Sequence, residues 1–255
     1  MIASVDATGL GNTAWWPLFA ALLGVIAGWC ANIAIERLPR LEPLREPIES
    51  CLACGARRRL LDALPIVGYL AQGGRCRRCR ARMTAMAPVV EMITGVLWAL
   101  LAVWHGPSIR AVVLMLFVTA LLALVAIDYQ HYLLPDAITL PGIVAGVAAT
   151  WLPGWPVSLR DSALSAALGY FAMMALAKAG EWYYREPALG QGDWKMVAML
   201  GAFLGSTKAV TTVLLANGAG ALVGLLLVAT LGERGRQKLP LGSFLGASGI
   251  LMAFF

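Results

Sequence analysis

Long apolar runs with few polar interruptions set the pattern of this chain. The first, Trp15–Ile35, has the length of about 20 residues that an α-helix needs to cross a bilayer. Further runs fall at 88–104, 109–127, 137–152, 160–178, 194–206, 209–231 and 241–255, which makes eight. The run at 194–206 is short for a full crossing. No solenoid-type repeat or low-complexity linker interrupts the series. The pattern predicts an all-α fold, a polytopic membrane helical bundle of about eight transmembrane helices. A polar insert follows the first helix. The expected organisation is a first transmembrane helix within 1–35, a cytoplasmic insert at 36–87 and a transmembrane bundle at 88–255.

Composition sharpens this picture. Of 255 residues, 60% are hydrophobic and only 13% charged, with a mean hydropathy of +0.75. Soluble domains carry about 25% charged residues, so a soluble globular protein is excluded. Disorder is excluded as well, since it requires low hydrophobicity and high charge. The net charge of +6 resides entirely in residues 36–82, which hold eleven of the 20 Lys and Arg and five of the 14 Asp and Glu. Arginines beside a membrane segment are a topology signal before they are a nucleic-acid site, and no nucleic-acid partner is expected.

No Lys or Arg precedes the first run, so it lacks the charged start of a signal peptide. Arg37, Arg40 and Arg45 follow it at once. Basic residues stay in the cytoplasm, which puts the insert inside and both chain ends outside. On that topology seventeen basic residues lie inside. Only Arg110, Arg160 and Lys208 lie outside.

Two C-x-x-C knuckles, Cys51/Cys54 and Cys76/Cys79, are separated by 21 residues. Four thiolates at this spacing suit one tetrahedral Zn2+ site; a pair of disulfides or a redox dithiol are the alternatives, and a cytoplasmic location disfavours the first. Arg57–Arg59, Arg75, Arg77, Arg78 and Arg80 would favour thiolates and offset the charge of a four-cysteine zinc centre. The basic stretch 36–82, 47 residues long, has little core, so the metal would act as its staple. Its apolar stretch Leu60–Leu70 suits the membrane surface or the bundle. Cys30, within the first run, is expected to pack.

Ionisable residues at membrane boundaries are functional candidates. Asp128 ends the third run. Asp193 closes Gly190-Gln-Gly-Asp193-Trp-Lys195 and opens the sixth. Asp136 follows Pro135 and reads as an N-cap of the fourth. At the end of its helix Asp128 meets a macrodipole that opposes negative charge, whereas Asp193 meets one that favours it. Brought together, two carboxyls with opposite biases would share one proton, with Asp128 as acid and Asp193 as base, as an aspartyl protease requires. Gly190 and Gly192 would let a substrate strand approach, and Lys195 supports the site. The carboxylates alone also suit a proton-coupled secondary transporter with a zinc-stapled insert. Glu91, one turn into the second run, suits either an ion pair with the insert or chemistry. His105 and His131 have no metal-ligand company and are expected to be structural.

In order along the chain, Asn32-Ile-Ala-Ile-Glu-Arg37-Leu-Pro39, the two knuckles with Gly74-Arg-Cys76, Pro88-Val-Val-Glu91, Ile127-Asp128 with Leu134-Pro-Asp136, Gly190-Gln-Gly-Asp193 and Pro240-Leu-Gly-Ser243 resemble one family. It is that of the type IV prepilin peptidases, GxGD-type membrane aspartyl proteases, and the likeness spans roughly residues 20–250. The resemblance implies a bifunctional enzyme of the bacterial inner membrane. Such enzymes cut the basic leader of type IV prepilins and type II secretion pseudopilins after a Gly at the cytoplasmic face. They then N-methylate the new N-terminus with S-adenosylmethionine. The cleavage aspartates carry over to Asp128 and Asp193, and the zinc-linked cysteines to Cys51, Cys54, Cys76 and Cys79. The chain departs from the family pattern at Gly28-Trp-Cys-Ala-Asn32, at Glu36 and at Ser243, where a Pro is usual. No Gly-rich loop after a strand offers a Rossmann-type donor site; Gly74 and Glu91 are the candidate methyl-transfer region.

Overall fold

A computed structural model describes residues 15–41, 54–55, 64–185, 190–232 and 239–255. Cys51, Arg45, Arg57–Arg59 and the basic cluster at 234–238 lie outside the described residues. Helices follow one another as α1 (Trp15–Arg37, continued by a 3-10 turn at Leu38–Arg40), α2 (Val67–Ala71), α3 (Met86–His105), α4 (Ile109–His131), α5 (Asp136–Ala149), α6 (Leu159–Tyr184), α7 (Gln191–Leu231) and α8 (Leu241–Met252). Among the described residues the only β pairing is an isolated bridge between Arg75 and Arg82. Five helices, α1, α3, α4, α6 and α7, are long and apolar enough to cross a membrane, and α5 and α8 are shorter apolar helices.

The described residues divide within α4, near residue 115, into two compact units. In the first, α1 packs on α3 through small side chains. Ala20, Gly24, Gly28, Ala31 and Asn32 are buried along one face of α1. At Gly28 a Cβ would stand 2.7 Å from the Glu91 Cα, so only a glycine permits this approach. Between helices in lipid there is little hydrophobic drive, and close backbone packing takes its place. Cys30, expected to pack, is instead exposed on α1, because the buried face of α1 runs through positions 24, 28 and 32.

The second unit is arranged about the first part of α7. Met196, Met199, Leu200 and Ala202 are fully buried there. Ala166 of α6 joins Ala198 and Ala202 in one cluster, with Ile143 and Val147 of α5 and Tyr170 packed on it. Gly246 and Gly249 of α8 abut Val125 and Leu121 of α4 and Met196 and Leu200 of α7.

The runs expected at 194–206 and 209–231 form one element whose backbone breaks at Gly205 (φ 75°, ψ 174°), a conformation open essentially to glycine alone. Ser158 caps α6 by accepting from the Asp161 N–H at 3.2 Å. The Asp161 carboxylate in turn accepts the Ser206 N–H, at 3.4 Å to each oxygen, and the Ser165 hydroxyl at 3.1 Å. The break therefore has a partner for its exposed backbone, the condition for irregular chain at membrane depth. A 13-residue segment is viable here because protein surrounds it.

Candidate active site

Asp193 is the third residue of α7 and 9% exposed. Gly190 stands at the N-cap, and its N–H donates to Asp193 Oδ2 at 3.2 Å while the Asp193 N–H returns to the Gly190 carbonyl at 3.2 Å. The carboxylate is thus folded back over the start of its helix, where the unpaired N–H groups favour negative charge.

Asp128, 5% exposed, lies in the last turns of α4. Its side chain meets the start of another helix. Oδ2 accepts from the Ser243 N–H at 2.6 Å and the Ser243 hydroxyl at 3.0 Å, at the third residue of α8. The expectation drawn from the dipole of α4 alone is therefore incomplete, because the N-terminus of α8 faces the same carboxylate. Gly242 makes this approach feasible: a Cβ there would lie 3.0 Å from Asp128 Cγ and 2.9 Å from Leu134 Cδ1. Leu134 lies against both Gly242, which abuts Asp128, and Gly192, which precedes Asp193, so the end of α4 and the start of α7 meet around this one residue.

Asp136 does not cap α5. Pro135 holds the N-cap position without a side-chain bond, since a Pro–Asp junction puts the aspartate inside the first turn. Both oxygens of Asp136 instead accept from Lys195 Nζ, at 2.6 and 2.7 Å. This pair ties the start of α5 to that of α7 and occupies the cation nearest in sequence to Asp193. The glycines differ in setting. A Cβ at Gly192 would meet Leu134 Cβ at 2.6 Å, whereas one at Gly190 would meet only Asp193 Oδ2, at 3.4 Å.

In the first unit Glu91 is 4% exposed. Oε2 accepts the Ile66 N–H at 2.6 Å and Oε1 accepts from Asn32 Nδ2 at 3.2 Å, while the same amide reaches the Ala87 carbonyl at 3.0 Å. Its partner in the insert, among the described residues, is a backbone N–H. Gly74 (φ 66°) lies in the turn after α2, where Tyr69 Oη would stand 2.8 Å from a Cβ. Leu64, Val67 and Leu70 of the apolar stretch are exposed.

Cys54, Cys76 and Cys79 hold their Sγ atoms within 4.8 Å of one another and form no disulfide. Tetrahedral zinc with bonds of about 2.3 Å sets sulfurs about 3.8 Å apart, so the cluster needs little adjustment to take a metal. The Cys76 N–H donates to Ala81 and the Arg80 N–H to Cys76, both at 2.9 Å, and Arg80 has φ 60°. This tight turn presents Cys76 and Cys79 to one point.

Residues 22–105 match the bacterial peptidase A24 N-terminal domain, and residues 115–225 match the type IV leader peptidase family. Among similar proteins, a prepilin leader peptidase/N-methyltransferase of Pseudomonas putida is 33% identical, covering 92% of this chain and 89% of its own. One of Burkholderia pseudomallei is 34% identical, covering 93% and 84%. One of Pseudomonas aeruginosa is 31% identical, covering 91% and 88%. The chain belongs to the prepilin leader peptidase/N-methyltransferase family. No solved structure matches it.

Membership makes this a membrane-embedded peptidase and methyltransferase, and the transporter reading is not favoured. The two family matches meet at 105–115, beside the division of the chain into two units. Two features of the peptidase/methyltransferase escaped the motifs. The Ser243 contact with Asp128 and the Ile66 contact with Glu91 span 115 and 25 residues. A hydroxyl residue where the family pattern has proline was the one visible signal for the first.

Proposed function

We propose that this chain cleaves the basic leader of type IV prepilins and type II secretion pseudopilins at the cytoplasmic face of the bacterial inner membrane, through an Asp128/Asp193 dyad, and then N-methylates the new terminus with S-adenosylmethionine. The observation that carries the proteolytic reading is the pair of buried carboxylates on α4 and α7, whose helix ends meet around Leu134. Like charges at short range resist joint ionisation, so the pair shares a proton. Asp128 accepts from two donors, the Ser243 N–H at 2.6 Å and its hydroxyl at 3.0 Å, against the single Gly190 N–H at 3.2 Å on Asp193, which supports Asp128 as the ionised member and reverses the assignment expected from its own helix.

In this scheme Asp128 removes a proton from water as the hydroxide oxygen adds to the scissile carbonyl carbon. Asp193 gives its proton to the carbonyl oxygen. The proton held by Asp128 then passes to the leaving nitrogen as the C–N bond breaks, and a diol proton returns to Asp193. The pilin's apolar helix enters from the lipid while its leader stays inside, and the cleavage segment unwinds to expose its peptide bond. Exposed Gly190 is the point for a substrate strand to approach, and Lys195, held by Asp136, braces the start of α7.

Eight crossings follow if the two parts of α7 on either side of Gly205 cross separately and the short helices α5 and α8 cross with them. Both chain ends are then periplasmic. The insert, stapled by one zinc on Cys51, Cys54, Cys76 and Cys79, and the Glu91–Gly74 region serve methyl transfer, the bound donor supplying the methyl group. Leader cleavage by purified enzyme in detergent tests the peptidase reading. Asp128→Asn and Asp193→Asn should each abolish it and Asp136→Asn should not; cleavage surviving in either of the first two removes the dyad.

A further inference from the structure

Ser243 lies outside the expected site, yet it makes two hydrogen bonds to a dyad carboxylate. Its N–H lies 2.6 Å and its hydroxyl 3.0 Å from Asp128 Oδ2. The hydroxyl oxygen also lies 3.2 Å from the Val125 carbonyl oxygen, one turn earlier on the same helix as Asp128. A serine hydroxyl carries one proton and can also accept. With two acceptors in reach, it has two arrangements.

When Asp128 is ionised, the hydroxyl donates to Oδ2. When Asp128 takes a proton on Oδ1, Oδ2 loses its charge and becomes a weaker acceptor, and the hydroxyl turns to the Val125 carbonyl. Oδ2 keeps its place in both states, because the N–H of Ser243 is fixed by the first turn of α8, where it also lies 3.2 Å from the Pro240 carbonyl. Gly242 and Leu134 close the same side.

We propose that Ser243 is a positioning residue of the peptidase. It holds the Asp128 carboxyl by Oδ2, donating its hydroxyl there while the carboxyl is ionised and turning it to the Val125 carbonyl when the carboxyl is protonated, and so leaves Oδ1 to exchange the proton with water. This rests on the dyad reading above. The charged groups of the surrounding elements are few. From α7 come Asp193 and Lys195, the latter engaged by Asp136 of α5; α8 carries no titratable side chain; and His131 of α4 is exposed. The hydroxyl is thus the group that can respond to Asp128 without adding charge.

The test compares Ser243→Ala, Ser243→Thr and Ser243→Pro with the wild-type full chain in detergent, using prepilin cleavage and, separately, methyl transfer to an already cleaved pilin. Ser243→Ala should lower kcat about tenfold, leave KM within twofold, and move the acid limb of the pH–rate profile toward higher pH, since one donor to the ionised carboxylate is lost. Ser243→Thr keeps the hydroxyl and should restore both kcat and profile. Ser243→Pro removes the N–H as well and should fall below Ser243→Ala. Methyl transfer, served by the other unit, should persist in all three and reports an intact chain.

An Ala variant with wild-type kcat and pH profile overturns the proposal. So does a Thr variant as slow as Ala while methyl transfer persists, or loss of methyl transfer in step with cleavage, which would make Ser243 a fold residue. Cleavage surviving Asp128→Asn overturns the dyad reading beneath it, whereas an inactive Asp128→Asn beside an unaffected Ser243→Ala overturns the Ser243 role alone.

Discussion

Replacing Glu91 by Gln isolates the link between the insert and the helix pair α1–α3. The carboxylate uses both oxygens, one for the Ile66 N–H and one for the Asn32 amide. A glutamine has a single acceptor oxygen, so whichever way its amide turns, an NH2 faces a donor. A buried donor left unpaired costs about 1–3 kcal/mol, and a lost charge-assisted bond is of similar size. Taking about 2 kcal/mol, the population in which the Ile66 segment is detached rises about 30-fold.

Strain works in the same direction. Ile66 has φ 56°, and a β-branched residue there costs about 1–3 kcal/mol while it is held. Hydrogen exchange followed by mass spectrometry on the peptide covering 64–73 reads this directly. The Glu91→Gln exchange rate should rise by one to two orders of magnitude, methyl transfer should fall about tenfold, and leader cleavage should change little. Unchanged exchange at 64–73 would refute the reasoning, because it would mean that Glu91 does not hold the segment.

Three further outcomes follow from the same geometry. Asp136→Asn releases Lys195 from a partly exposed pair worth about 1 kcal/mol at most, so leader cleavage should stay within about fivefold of wild type; total loss would place Asp136 in the chemistry. Gly205→Ala puts a Cβ 2.5 Å from Asp161 Oδ2 at φ 75°. It should cost about 1–3 kcal/mol and shorten the thermal inactivation half-life, and a half-life equal to wild type would contradict the break at Gly205. Elemental analysis should find one zinc per chain. Stripping it with a chelator should speed hydrogen exchange at 75–82 and lower methyl transfer while cleavage persists; a metal-free chain with full methyl transfer would remove the zinc.

The elements legible in the sequence were those that the bilayer imposes. Apolar runs at 88–104, 109–127 and 160–178 correspond to α3, α4 and α6, each of which continues past its run. Helix ends are set by caps and tertiary partners and not by hydrophobicity: Ser158 starts α6, and α4 carries on through Asp128 to His131. The break near 206 was legible as a gap between runs, but joining its two sides into one bent element depends on Asp161, 45 residues away.

Asp193 and Gly190 could be placed from a four-residue motif because a helix start is local. Asp136 misled because an aspartate after proline has the composition of a cap, and only Lys195, 59 residues on, reveals its partner. Ser243 and Ile66 left no periodic trace, since a single contact between distant segments has none.

The central claim is that Asp128 and Asp193 cleave and that methyl transfer is separate. Its most direct test is the intact mass of pilin after incubation with purified full-length chain and S-adenosylmethionine. Wild type should release a product that lacks the leader and is one methyl group heavier than the cleaved chain. Asp128→Asn and Asp193→Asn should return full-length prepilin, yet still methylate a pilin supplied already cleaved. Leader-free product from either variant would contradict the account.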